Sequence, residues 1–112
     1  MRKILIANES HLFDLIKQFV IADLLPSEVK MSRYDCYSLE HNVDIELKCR
    51  KKHYDDLLIE KKKYDALIER SNKHGTNPLY INSTPIGVWA FRLLDIKEPT
   101  WEERGMPKTS EF

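Results

Sequence analysis

Apolar residues recur at two different spacings along this 112-residue chain, and the change in spacing divides it into elements. Leu12, Phe13, Ile16, Phe19, Val20 and Leu24 follow one another at intervals of three and four, which predicts one amphipathic helix. Asn8 or Ser10 can cap its start, and Pro26 lies beyond its end. The period then falls to two. Val43, Ile45, Leu47 and Cys49 alternate with Asp44, Glu46, Lys48 and Arg50, the pattern of a strand with one buried face. Residues from about Met31 to Leu39 predict a partner strand, with His41-Asn42 as a two-residue turn, because Asn tolerates positive φ. Asp56 to Glu60 reads as a third short strand. A second helix follows from Lys61 to about Lys73, with Tyr64, Leu67 and Ile68 as its buried face and Gly75 as its stop. A second hairpin, Pro78 to Asn82 and Val88 to Leu93, turns around Ser83 to Gly87.

The resulting order is α-β-β-β-α-β-β, an α/β fold with a mixed sheet flanked by helices. Residues 1–95 form one domain in this reading, and 96–112, with two prolines, a glycine and many charges, form an irregular tail. Trp101 is expected to fold back onto the domain, as a large aromatic is seldom left in water.

Composition narrows the classes. Hydrophobic residues make up 42% and charged residues 32%, so disorder is not expected. No apolar run nears the roughly 20 residues of a membrane span. The start Met1 to Ala7 resembles a signal peptide, but Asn8 to His11 ends the apolar stretch, and a cytoplasmic location is expected. The 18 basic and 18 acidic residues cancel, which argues against coating nucleic acid by charge alone. Cys36 and Cys49 have no metal-ligand spacing and read as buried thiols.

The first hairpin carries the candidate chemistry. With His41-Asn42 as the turn, Glu40 faces Val43, Tyr37 faces Glu46, and Asp35 faces Lys48. Asp35, Glu46 and Lys48 then converge on one face, and Cys36, Ile45 and Leu47 point into the core. Paired carboxylates suit Mg²⁺ or Mn²⁺, which favour oxygen ligands, and the Leu47 carbonyl is a further donor. Such an ion lowers the pKa of bound water and neutralises phosphate charge. Lys48 is placed to orient or deprotonate the water, or to stabilise the transition state. The rival reading of an isolated Glu-x-Lys is the solvated face of a half-buried strand.

Asp35 followed by Glu46-Leu47-Lys48 resembles the core motif of the PD-(D/E)XK nuclease superfamily, which includes restriction endonucleases and archaeal-type Holliday junction resolvases. The likeness runs from about Tyr34 to Leu94 through Glu46-Leu47-Lys48-Cys49-Arg50, the apolar Leu57-Leu58-Ile59, the helix ending at Gly75, and the hairpin Leu79 to Leu93. The chain also resembles small nuclease-like proteins of phages and mobile elements. Tyr34, not Pro, precedes Asp35, and that Pro is often absent in the family. The resemblance implies a restriction endonuclease-like core and a metal-dependent nuclease acting on DNA. It implies Lys63, or failing that Lys61, as a helix residue joining Asp35, Glu46 and Lys48, and Glu9 as a further metal ligand. Glu9 also fits a first-turn acid that favours the helix dipole. Arg50, Lys51, Lys52, Lys61 and Lys62 would then lie near phosphates. A chain this small, without a target-recognition domain, would act as a homodimer, within a larger complex, or on a structured substrate such as a junction, flap or end. Two other readings remain: a nuclease-fold protein without catalysis that binds nucleic acid or a protein, and an accessory domain docking a partner through Trp101.

Overall fold

The computed structural model describes residues 6–27, 36–53 and 59–96. Helix α1 spans Glu9–Phe19, followed by strands β1 (Leu25–Pro26), β2 (Cys36–Ser38) and β3 (Val43–Cys49). Helix α2 (Lys61–His74) leads into β4 (Asn77–Thr84) and β5 (Gly87–Arg92). Among the described residues, five strands form one mixed sheet in the order β1-β2-β3-β4-β5. Only β3 and β4 run parallel, joined by the crossover through α2; the other neighbours are antiparallel.

Local chemistry accounts for the helix ends. The Asn8 side chain accepts from the His11 amide at 2.9 Å and caps α1. Gly75, at φ 70, ends α2 in the left-handed region and gives its amide to the Ser71 carbonyl. Leu12 and Ile16 bury the core face of α1 against Cys36, Val43, Ile45, Leu47 and Ile81. On the other side of the sheet, Tyr64 and Leu67 of α2 pack on Tyr80 and Leu93. Helices therefore cover both faces of β3, and every residue from Val43 to Leu47 is buried.

Several expectations change. Phe19 and Val20, placed on the buried stripe of α1, are each 71% exposed. The helix ends at Phe19, and the Ile21 amide turns back to the Ile16 carbonyl, so the stripe stops there. The hairpin register also differs. Ser38 faces Val43, Tyr37 faces Asp44, and Cys36 faces Ile45. Leu39 to Asn42 thus form a four-residue turn rather than the two-residue turn His41-Asn42. Asn42 still takes the positive φ, at 54. The Ser38 hydroxyl accepts from the His41 amide, and the Asp23 carboxylate accepts from the Ser38 hydroxyl and the Glu40 amide, so the longer turn is held from outside the hairpin. A slip of two residues leaves the faces unchanged. Tyr37 still shares a face with Asp44, Glu46 and Lys48.

The element string keeps its order, but β1 at Leu25–Pro26 is the extra strand. Ile59 and Glu60 are not in a strand, and Glu60 instead precedes α2 as its cap residue. Residues 56–58 lie outside the described residues, as do 31–35 and the tail from 97 with Trp101. Neither Cys36 nor Cys49 forms a disulfide; Cys36 is buried and Cys49 only half-buried. Among the described residues, no helix is long and apolar enough to cross a membrane.

Candidate active site on the sheet face beneath α2

Strand β3 projects Asp44, Glu46 and Lys48 onto the face that α2 covers. The first two are not on a wet face, as alternation alone suggested, but buried. A buried carboxylate is costly unless paired, and each finds cations or donors from α2 and beyond. The Asp44 carboxylate accepts from the Arg70 guanidinium at 2.9 Å and from the Thr76 hydroxyl at 2.7 Å. Both of its oxygens are thus committed to joining β3, the end of α2 and the start of β4. Asp44 is a structural acid.

Glu46 differs. It is 3% exposed. Its Oε1 accepts from the Lys63 ammonium at 2.6 Å, while Oε2 is buried with no hydrogen-bond partner among the described residues. Lys63 comes from the first turn of α2 and is 36% exposed. An orphaned carboxylate oxygen costs roughly 1–3 kcal/mol or more. It is the donor a hard divalent cation would use, and Glu46 therefore fits a metal ligand.

Lys48 is half-buried. Burial pushes its ammonium below the usual lysine range. Repulsion from Arg50 and Lys63 adds to the shift, while Glu9 and Glu60 oppose it. The carboxylate of Glu9, the first residue of α1, therefore acts on the end of β3. It also raises the Cys49 thiol, after burial, the larger cause. The Leu47 side chain belongs to the core on the α1 side.

The site residues expected from sequence thus separate into groups. Glu46 and Lys63 are in contact, and Lys48 and Glu9 interact electrostatically beside them. Asp35 lies outside the described residues. Arg50, expected near phosphates, is instead 3% exposed, and its guanidinium donates to the Tyr80 hydroxyl at 3.2 Å. It packs the interior of this face, where burial raises the Tyr80 phenol above its ordinary range and Arg50 opposes the shift. Lys61 pairs with Asp65 at 2.7 Å on the exposed side of α2. Lys51, Lys52 and Lys62 are exposed.

Three contributors escaped the sequence reading. Asn82 faces Lys48 across the β3–β4 ladder, and its Oδ1 is buried with no hydrogen-bond partner among the described residues. Tyr80 faces Glu46 in the same way. Trp89 lies opposite Asn82 on β5. The parallel pairing of β3 and β4 was the signal needed, and no local pattern carries it.

Among the described residues, the acidic and imidazole groups whose ligand atoms all lie within 4.8 Å of one another are Asp23, Glu40 and His41. They belong to the turn above, where Asp23 is already engaged by Ser38 and Glu40, hydrogen bonds that lower its pKa. Comparison with protein-family models, with curated proteins and with solved structures returned no match.

Proposed function

We propose that this chain is a metal-dependent nuclease that hydrolyses DNA phosphodiester bonds, built on a restriction endonuclease-like core formed by β2, β3, α2 and β4. The observation that carries the reading is Glu46: a carboxylate almost wholly removed from water, with one oxygen on Lys63 and the other without a hydrogen-bond partner among the described residues. Glu46 would hold Mg²⁺ or Mn²⁺ together with Asp35, the Leu47 carbonyl and Glu9. Bound there, the ion would acidify a water and neutralise phosphate charge. The chain's own residues supply the rest. Lys63 fixes the Glu46 carboxylate and offers a cation at the mouth of α2. Lys48, with its proton weakened by burial, orients the attacking water or takes a proton from it. Lys51, Lys52 and Lys62 are exposed and suit phosphate contacts, which position DNA without reading sequence. The small domain would act as a homodimer or within a larger complex. A reducing cytoplasm agrees with two cysteines that form no disulfide.

A second reading is a nuclease-fold subunit without catalysis that binds nucleic acid or a protein. The Glu46–Lys63 pair favours it, since the buried charge is already balanced by a cation. One assay decides between them. Linear, single-stranded and branched DNA are incubated with Mg²⁺ or Mn²⁺ and either the wild type or Glu46→Ala. Metal-dependent cleavage lost in the variant supports the nuclease. DNA binding without cleavage by either protein supports the second reading.

A further inference from the structure

We propose that the Trp89 indole is a stacking platform for an unpaired base, so that the site accepts single-stranded or frayed DNA in preference to an intact duplex. The inference rests on the nuclease reading for the reaction beside the platform, but not for the stacking itself.

Lys48 pairs with Asn82, and Asn82 pairs with Trp89. These three residues therefore form one row across the sheet, on the face that carries Glu46. The neighbouring row, Glu46, Tyr80 and Phe91, lies under the apolar cluster of α2, with the Tyr80 and Phe91 rings stacked at 6.3 Å. Trp89 is outside that cluster and 36% exposed. Two strand spacings separate it from Lys48, about 10 Å between backbones. That spans about three stacked nucleotide steps of roughly 3.4 Å.

The indole is also held in place. Its six-membered ring lies on Gly87, where an added Cβ would come within 3.1 Å of the ring. Glycine therefore leaves the space that the ring occupies. The His53 ring stands 5.0 Å away at 45° and is itself anchored to the Thr84 hydroxyl at 3.0 Å. A platform fixed before binding costs little ordering entropy when a base arrives.

The chemistry around the ring selects the occupant. The segment from Arg50 to His53 is tied at one end by the Arg50 amide to the Ser83 carbonyl and at the other by His53. Within it, Lys51 is exposed. Between Lys48 and Trp89 lies the buried Oδ1 of Asn82, which has no hydrogen-bond partner among the described residues and is an acceptor for a base or sugar donor. An aromatic face, a cation and a buried acceptor in one row match a nucleotide whose base is free to leave the stack. In a duplex both faces of that base are covered, so Trp89 would gain nothing from it.

The test uses the full chain carrying Trp101→Phe, so that Trp89 is the single tryptophan. Three ligands of about 12 nucleotides are titrated in EDTA: a DNA single strand, the matching blunt duplex, and an abasic strand. The single strand is expected to quench Trp89 emission and to bind more tightly than the other two. In the otherwise wild-type chain, Trp89→Ala is expected to weaken single-strand binding roughly 5- to 150-fold and to leave abasic binding unchanged, while Trp89→Phe retains most of the affinity. Equal affinity for the normal and abasic strands overturns the proposal, as does equal affinity for strand and duplex. If Trp89→Ala does not fold, the titrations of the Trp101→Phe protein still decide. Metal-dependent duplex cleavage without stacking sinks this inference and spares the nuclease. Stacking without cleavage in Mg²⁺ or Mn²⁺ does the reverse.

Discussion

Replacing Lys63 with Met removes the cation at 2.6 Å from Glu46 and leaves a 3%-exposed carboxylate with neither oxygen satisfied by a described residue. Breaking a fully buried pair costs about 3–5 kcal/mol. Lys63 is 36% exposed, so solvent already screens part of the attraction, and about 2–3 kcal/mol is expected. Near 100 residues, each kcal/mol moves Tm by about 4–8 °C, which places Lys63→Met roughly 10–20 °C below the wild type. Urea and thermal unfolding followed by circular dichroism read this directly. Two further measurements separate a structural pair from a metal-binding carboxylate. Adding Glu46→Gln to Lys63→Met is expected to recover stability, because the stranded charge is gone. Mn²⁺ is expected to stabilise Lys63→Met more than the wild type, since an ion can take the vacated place; at tenfold above its Kd it contributes about 1.4 kcal/mol. A Lys63→Met protein within about 0.5 kcal/mol of the wild type would refute the burial argument.

Asp44→Ala strands the Arg70 guanidinium and Thr76, and is expected to cost about 2–4 kcal/mol in urea unfolding while cleavage per folded molecule stays unchanged. Glu9→Gln removes a charge that holds the Lys48 proton, so the Lys48 pKa of the metal-free protein is expected to fall further, read by NMR titration of the Lys48 side chain in EDTA. Between the depressed folded pKa of Lys48 and its unfolded value, the unfolded chain holds the extra proton, and stability rises with pH. Below the folded pKa, the full penalty of burying the charge is present. Lys48→Met is therefore expected to raise stability at neutral pH, as read by urea unfolding.

The elements that the sequence predicted well are those set by neighbours along the chain. Asn8 caps α1, Gly75 stops α2, and the alternation from Val43 fixes which β3 residues face the α1 core. The misread parts depend on distant residues. The β2–β3 turn is longer than two residues because Asp23, outside the hairpin, accepts from Ser38 and Glu40. Asp44 and Glu46 look like surface positions in an alternating strand. Their partners Lys63, Arg70 and Thr76 lie 17 to 32 residues downstream, and only the crossover of α2 brings them over the sheet. Arg50 reads as one member of a basic run, yet it turns inward because Tyr80 of the parallel strand offers an acceptor. The row from Lys48 to Trp89 needs the pairing of three strands and leaves no trace in spacing.

Whether Glu46 holds a catalytic metal is decided by DNA cleavage with Mg²⁺ or Mn²⁺ in wild type, Glu46→Gln and Asp35→Asn, each shown to be folded by circular dichroism. The wild type is expected to cleave DNA, EDTA to abolish that cleavage, and both variants to lose it by at least two orders of magnitude. Cleavage that survives Glu46→Gln, or a folded wild type that cuts no DNA with either metal, would contradict a catalytic metal on Glu46.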